Sequence, residues 1–162
     1  MSAVSVQTDV LVVGAGAMGS GIAQVAALAG HRVFLADTSA EAVEKGCATI
    51  AASLREQVSK GRLDAARAEF TIARIHGIDK LADARTATLA IEAIVERLDV
   101  KRALFFELES TLPEQAILAS NTSSLSITAL TAGLSRPERV VGMHFFNPAP
   151  RMKLVEVVSG LA

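Results

Sequence analysis

Apolar residues in this chain follow two rhythms. Short, mostly apolar runs occur at Val10 to Val13, Arg32 to Ala36, Ala73 to Ile78, Thr88 to Val95, Ile117 to Ser120, Val140 to Phe146 and Lys153 to Val158. Runs of this length without strict alternation predict strands buried on both faces of a parallel sheet. Between them, apolar residues recur at helical spacing: Ile22, Val25, Ala26 and Ala29; Val43, Cys47, Ile50, Leu54 and Val58; Val100, Leu104, Phe105 and Leu108. The spacing predicts helices from about Met18 to Gly30, Ala40 to Lys60, Leu63 to Ile72, Leu98 to Leu112 and Ile127 to Gly133. Gly30, Gly61 and Pro113 supply stops. Strand and helix therefore alternate, which predicts an α/β fold with a doubly wound, mainly parallel sheet and helices on both faces. The second and third helices follow each other with no strand between them. This helical hairpin is longer than a standard crossover and reads either as simple packing or as a substrate clamp inserted into the fold.

Composition narrows the class. The chain has 162 residues, 51% hydrophobic and 20% charged, with a formal net charge of −1. This suits one globular domain with a real core. No basic block points to nucleic acid or to an anionic membrane surface. No apolar run is long enough to span a bilayer. The single cysteine, Cys47, cannot form an internal disulfide and reads as a small core residue, since nothing near it in sequence would activate a thiol. No Cys/His cluster suggests a metal. Met1 to Asp9 contains no Lys or Arg and so lacks the basic region of a signal or transit peptide. The expectation is a soluble cytoplasmic protein.

The first strand runs directly into Gly14, Gly16 and Gly19, spaced G-x-G-x-x-G, and a helix follows. In that context the pattern predicts a dinucleotide site and a Rossmann-type fold. Gly14 permits the tight turn, Gly16 lets backbone approach a pyrophosphate, and Gly19 lets helix pack on strand. The N–H groups and dipole at the helix start, around Ala17 and Met18, would hold the phosphate charge. Asp37 ends the second strand about 20 residues downstream, where an acidic residue takes the adenosine ribose hydroxyls. It would repel a 2′-phosphate, and Thr38 and Ser39 offer none of the positive charge such a group needs, so NAD is favoured over NADP. The competing reading of Asp37 is an N-cap for the next helix, a role Ser39 could fill.

The later strands end in polar residues. Glu92 interrupts its strand, either pointing into the crevice or marking the strand end. Asn121-Thr122-Ser123-Ser124 follows the fifth strand, where ligands bind in open α/β sheets, and Ser124 or Ser126 could also cap the next helix. His144 ends the sixth strand, with Asn147-Pro148 just beyond, and Glu156 sits among Leu154, Val155, Val157 and Val158. A carboxylate inside such a strand is costly to bury unpaired, and His144 on a neighbouring strand is its natural partner. An imidazole held by a carboxylate is a base with an orienter, the pairing that alcohol oxidation on a nicotinamide needs; the competing reading is a satisfied buried pair with no chemistry. Ser123 and Asn147 could hydrogen-bond the reacting oxygen. His76, isolated in its strand, receives no role.

The segments GAGAMGSGIAQVAALAGHRVFLAD, EAIVE, SNTSSLSIT and HFFNPAPRMKLVEVV resemble the N-terminal domain of the L-3-hydroxyacyl-CoA dehydrogenases, including 3-hydroxybutyryl-CoA dehydrogenases, over essentially the whole chain. The resemblance implies His144 as catalytic base, Glu156 as its partner, Ser123 on the substrate's 3-oxygen beside the nicotinamide, and Asn147 assisting. It implies Glu96 and Lys101 lining the NAD site and Asp37 on the ribose. It implies Ser53 and Lys60, on the hairpin, contacting the CoA moiety of an acyl-CoA substrate. The implied reaction is reversible oxidation of an L-3-hydroxyacyl-CoA in fatty-acid or related degradation (β-oxidation). Members of the family continue into a mostly helical domain that supplies homodimer contacts and the far wall of the cleft. The expectation for residues 1–162 is the NAD-binding domain without that second domain, binding NAD but turning over poorly alone. The competing readings are a non-catalytic NAD-binding module and a dehydrogenase of a free hydroxyacid or sugar acid.

Overall fold

The computed structural model describes residues 8–161. Most of the N-terminal stretch read for a targeting signal lies outside the described residues. Seven strands, β1 (Asp9–Val13), β2 (Arg32–Ala36), β3 (Ile75–Ile78), β4 (Leu89–Glu92), β5 (Ile117–Ser120), β6 (Val140–Phe145) and β7 (Val155–Ser159), form one sheet in the order β3-β2-β1-β4-β5-β6-β7. Every pairing from β3 to β6 is parallel, and β7 closes the edge antiparallel to β6. The chain works outward from β1 to β3, then returns to lay β4 on the other side of β1. The order reverses there, which opens a crevice beyond the carboxyl ends of β1 and β4. The expected doubly wound sheet is the fold observed.

The helices are α1 (Ala17–Leu28), α2 (Ala40–Ser59), α3 (Ala65–Ile72), α4 (Leu98–Thr111) and α5 (Ile127–Thr131). They divide the core in two. Val10 and Val12 face a cluster with Ile22 of α1 and Val43, Ile50 and Leu54 of α2. Leu11 and Val13 face the other cluster, with Phe105 and Leu108 of α4. Alternate side chains leave opposite faces of a strand, so the unbroken apolar run of β1 is what a strand covered on both faces requires. Each such buried aliphatic side chain contributes roughly 1.5–3 kcal/mol.

The helical hairpin is α2 and α3. Ser39 caps α2, accepting from the Ala42 amide at 3.2 Å, and Asp64 caps α3, accepting from the Arg67 amide at 3.0 Å. The base of α2 presses on β3 so closely that a Cβ at Gly77 would stand 2.6 Å from Val43 Cγ1. Packing therefore accounts for this part of the hairpin. Cys47 is half-buried rather than fully enclosed, and burial pushes its thiol pKa up.

Two expectations need correction. The fourth strand ends at Glu92 rather than at Val95, and the Ile94 amide turns back to donate to Glu92 Oε1 at 2.7 Å. Glu156 does pair with His144, but it is not buried: its side chain is 55% exposed, and all of β7 is open to solvent. Periodicity recognises an apolar strand without showing whether anything covers it.

Candidate active site

The glycine loop is built by close approach. Gly14 has φ of 108°, and a Cβ there would lie 2.4 Å from the Ala93 carbonyl oxygen. A Cβ on Gly19 would lie 1.6 Å from the Gly14 oxygen. Gly16 differs: a Cβ there would meet nothing within 4 Å. It caps α1 with no side-chain hydrogen bond, and the first turn of α1 carries no acidic residue. Helix-start amides without a capping side chain, facing open space, fit an anionic pyrophosphate. The Gly16→Ala variant is therefore expected to fold with an unchanged melting temperature yet bind NADH at least tenfold more weakly, as read by thermal melts and calorimetric titration. Here the methyl group occupies ligand space, not protein space.

Asp37 stands at the end of β2, where Oδ2 accepts from the Ala15 amide at 2.8 Å and Oδ1 from the Ser39 amide at 3.2 Å. It therefore tethers the glycine loop, and Ser39 takes the N-cap. Asp37 also lines a cleft of about 500 Å³ with Gly16, Ile94, Val95, Val100 and Leu104. The walls are mostly apolar and contain no Lys or Arg, so adenosine fits there and a 2′-phosphate would find no countercharge.

Across the glycine loop, a cavity of about 370 Å³ gathers Met18, Glu96, Lys101, Ser123, His144 and Asn147. These come from α1, α4, the end of β6 and the loops after β4, β5 and β6. The β6–β7 register sets His144 directly opposite Glu156, and Nδ1 lies 3.1 Å from Glu156 Oε2. With Nδ1–H donating to the carboxylate, a neutral ring presents its lone pair at Nε2. That nitrogen has no hydrogen-bond partner among the described residues. Phe146 packs on the ring, with centroids 4.6 Å apart.

Beneath this cavity lies a polar network that sequence reading only partly found. Glu92 is fully buried. Its Oε1 takes Lys101 Nζ at 2.5 Å, and its Oε2 takes the Ser120 hydroxyl at 2.6 Å. Lys101 is 1% exposed and also lies 3.1 Å from Glu96 Oε2. Glu96 in turn accepts from the Thr122 hydroxyl and, at 3.1 Å, from Ser124 Oγ. Partial burial works against ionisation of Glu96, but the hydrogen bonds from Thr122 and Lys101 outweigh it and hold the carboxyl below its usual pKa. Asn121 Oδ1 accepts from the Phe145 amide at 2.9 Å, joining the β5 loop to the end of β6. Ser126, not Ser124, caps α5. Asn121 and Thr122 stand in the polar run after the fifth strand, and Glu92 is one carboxylate in an apolar strand, but the partners of all three are set by the fold.

The hairpin residues do not join this cavity. Ser53 lines a second cavity, of about 630 Å³, between α1 and α2. Lys60 sits exposed at the end of α2, paired with Glu56. Asn147 lines both cavities and is where they meet. Among the described residues, no cluster could hold a metal ion and no helix is long and apolar enough to cross a membrane.

The reversed sheet order, the glycine loop and the acidic residue after β2 define a dinucleotide-binding α/β domain. Residues 9–162 match the family model described as "3-hydroxyacyl-CoA dehydrogenase, NAD binding domain". The chain belongs to that family, and its cofactor is NAD. It is 52% identical to the 3-hydroxyadipyl-CoA dehydrogenase of Escherichia coli K12, over 98% of this chain and 33% of that protein. It is 49% identical to the 3-hydroxybutyryl-CoA dehydrogenase of Bradyrhizobium diazoefficiens, over 93% of this chain and 52% of that protein. A crystal structure of 3-hydroxybutyryl-CoA dehydrogenase from E. coli K12 superimposes with a TM-score of 0.95 at 52% identity, covering 98% of this chain and 34% of that one. The chain thus spans about a third to a half of the length of these relatives.

Proposed function

We propose that this chain is the cofactor-binding and proton-transfer domain of an enzyme interconverting L-3-hydroxyacyl-CoA and 3-ketoacyl-CoA. The observation that carries the reading is the His144–Glu156 pair, 3.1 Å apart, opening on the same cavity as Ser123 beside the glycine loop. NAD bound along that loop would supply the two-electron acceptor.

The chain's own residues do the rest. Nε2 of His144 takes the proton from the 3-hydroxyl as the alcohol is oxidised. Glu156 holds the ring through Nδ1 and stabilises the imidazolium that results. Ser123 donates to the 3-oxygen, and Asn147 positions the thioester end. Glu96 and Lys101 shape the nicotinamide end of the cavity, and Asp37 takes the adenosine ribose. Ser53 and Lys60 contact the CoA moiety, Lys60 after release from Glu56. In the working enzyme a second, mostly helical domain closes the cleft and carries the homodimer contacts. The lengths of the relatives and the exposed Val157 and Val158 of β7 support that assignment. A cytoplasmic site of action belongs to the same proposal.

The test is NADH oxidation driven by acetoacetyl-CoA against free acetoacetate, with this chain and with the full-length protein carrying it. Oxidation is expected with the thioester and not with the free acid. Activity on acetoacetate alone would overturn the acyl-CoA assignment, and inactivity on both would favour a non-catalytic NAD-binding module.

A further inference from the structure

The cavity between α1 and α2 contains one side chain that the network around the His144 cavity leaves unexplained. Gln24, on α1, is 2% exposed and lines this cavity, yet its Nε2 has no hydrogen-bond partner among the described residues. Buried side-chain amides are nearly always paired, because desolvating one without a partner is costly. Two hydroxyls that line the same cavity are paired with backbone. The Ser20 hydroxyl donates to the Ala15 carbonyl at 3.0 Å, and the Thr49 hydroxyl to the Lys45 carbonyl at 2.8 Å. Gln24 is thus left with an unpaired amide nitrogen in the wall of a space of about 630 Å³.

The position of that space matters. It joins the His144 cavity at Asn147 and runs back along α1 to Ser53 on α2. A linear substrate reacting at His144 would pass Asn147 and then Gln24. Resting on the acyl-CoA reading above, the geometry points to Gln24 as the residue that recognises a secondary amide of the pantetheine arm. A carboxamide suits this task because its NH2 can donate to the amide carbonyl. An apolar residue here would read only shape. Gln24 is therefore a specificity-determining residue that separates CoA thioesters from free hydroxyacids, which carry no amide.

The experiment measures acetoacetyl-CoA and NADH dissociation constants by titration calorimetry for the native protein and Gln24→Met, with melting temperatures for both. Met keeps the unbranched shape and removes the amide. Acetoacetyl-CoA binding is expected to weaken about 5- to 10-fold, the scale of one neutral hydrogen bond, while NADH binding stays within twofold. The melting temperature should hold or rise, since an unpaired buried amide is removed. Gln24→Leu is expected to behave alike. Unchanged acetoacetyl-CoA affinity in both variants overturns the assignment to Gln24 and leaves the acyl-CoA reading standing. Equal loss of both ligands, or a lower melting temperature, makes Gln24 structural. Failure of the native protein to bind acetoacetyl-CoA overturns the acyl-CoA reading and this inference with it.

Discussion

His144→Gln is expected to slow acetoacetyl-CoA-dependent NADH oxidation by about 10² to 10⁴-fold, the usual contribution of a positioned acid–base group. Glutamine keeps a similar length and can still hydrogen-bond, but it cannot carry the proton between substrate and solvent. NADH affinity should stay near the native value, because the glycine loop and Asp37 cleft lie on other elements. Glu156→Gln should cost less. The neutral amide can still accept from Nδ1 but no longer stabilises the imidazolium by charge. Because Glu156 is 55% exposed, water screens part of that charge, and the loss should be the smaller of the two. Loss of NADH binding in His144→Gln would make the histidine structural and remove the central support for the mechanism.

Lys101→Met is expected to destabilise the fold by about 3–5 kcal/mol, the cost of leaving one partner of a buried pair uncompensated. The partner is Glu92, fully buried, with Lys101 itself 1% exposed. Once the ammonium is gone, Glu92 Oε1 keeps only the Ile94 amide. Lys101→Met combined with Glu92→Leu removes both charges and should recover much of the loss, although the Ser120 hydroxyl then loses its acceptor. Urea midpoints for the two single variants and the double close the thermodynamic cycle. Additive losses would mean that the two residues stabilise the fold separately. Strong coupling would identify this pair as what holds β4, α4 and the β5 loop in register beneath the His144 cavity.

Much of this is legible in the sequence. The alternation of apolar runs and helical spacings named the doubly wound sheet, since each element must bury a face and a run like Val10 to Val13 needs cover on both. The three glycines were legible because each leaves out a Cβ for a reason: one at Gly14 or Gly19 would collide with a carbonyl oxygen, and one at Gly16 would meet no protein atom but enter the ligand cradle. His144 and Glu156 could be paired from neighbouring strands alone. Their antiparallel register could not be read, and neither could the exposure of β7, because a strand's composition does not reveal what lies beyond it.

The sequence by itself determined the local parts: strand, turn and helix, the anion-binding loop, the acidic residue that follows β2, and the residue types that proton transfer needs. These depend on interactions within a few residues, or on a period that any segment displays. Only the tertiary structure decided the rest. It buried Lys101 between Glu92 and Glu96, separated Lys60 from the cavity that Ser53 lines, and left Gln24 without a partner beside that cavity. Burial and pairing across distant segments are set by how whole elements stack, and that is where a buried charge or amide is either satisfied or left for a ligand.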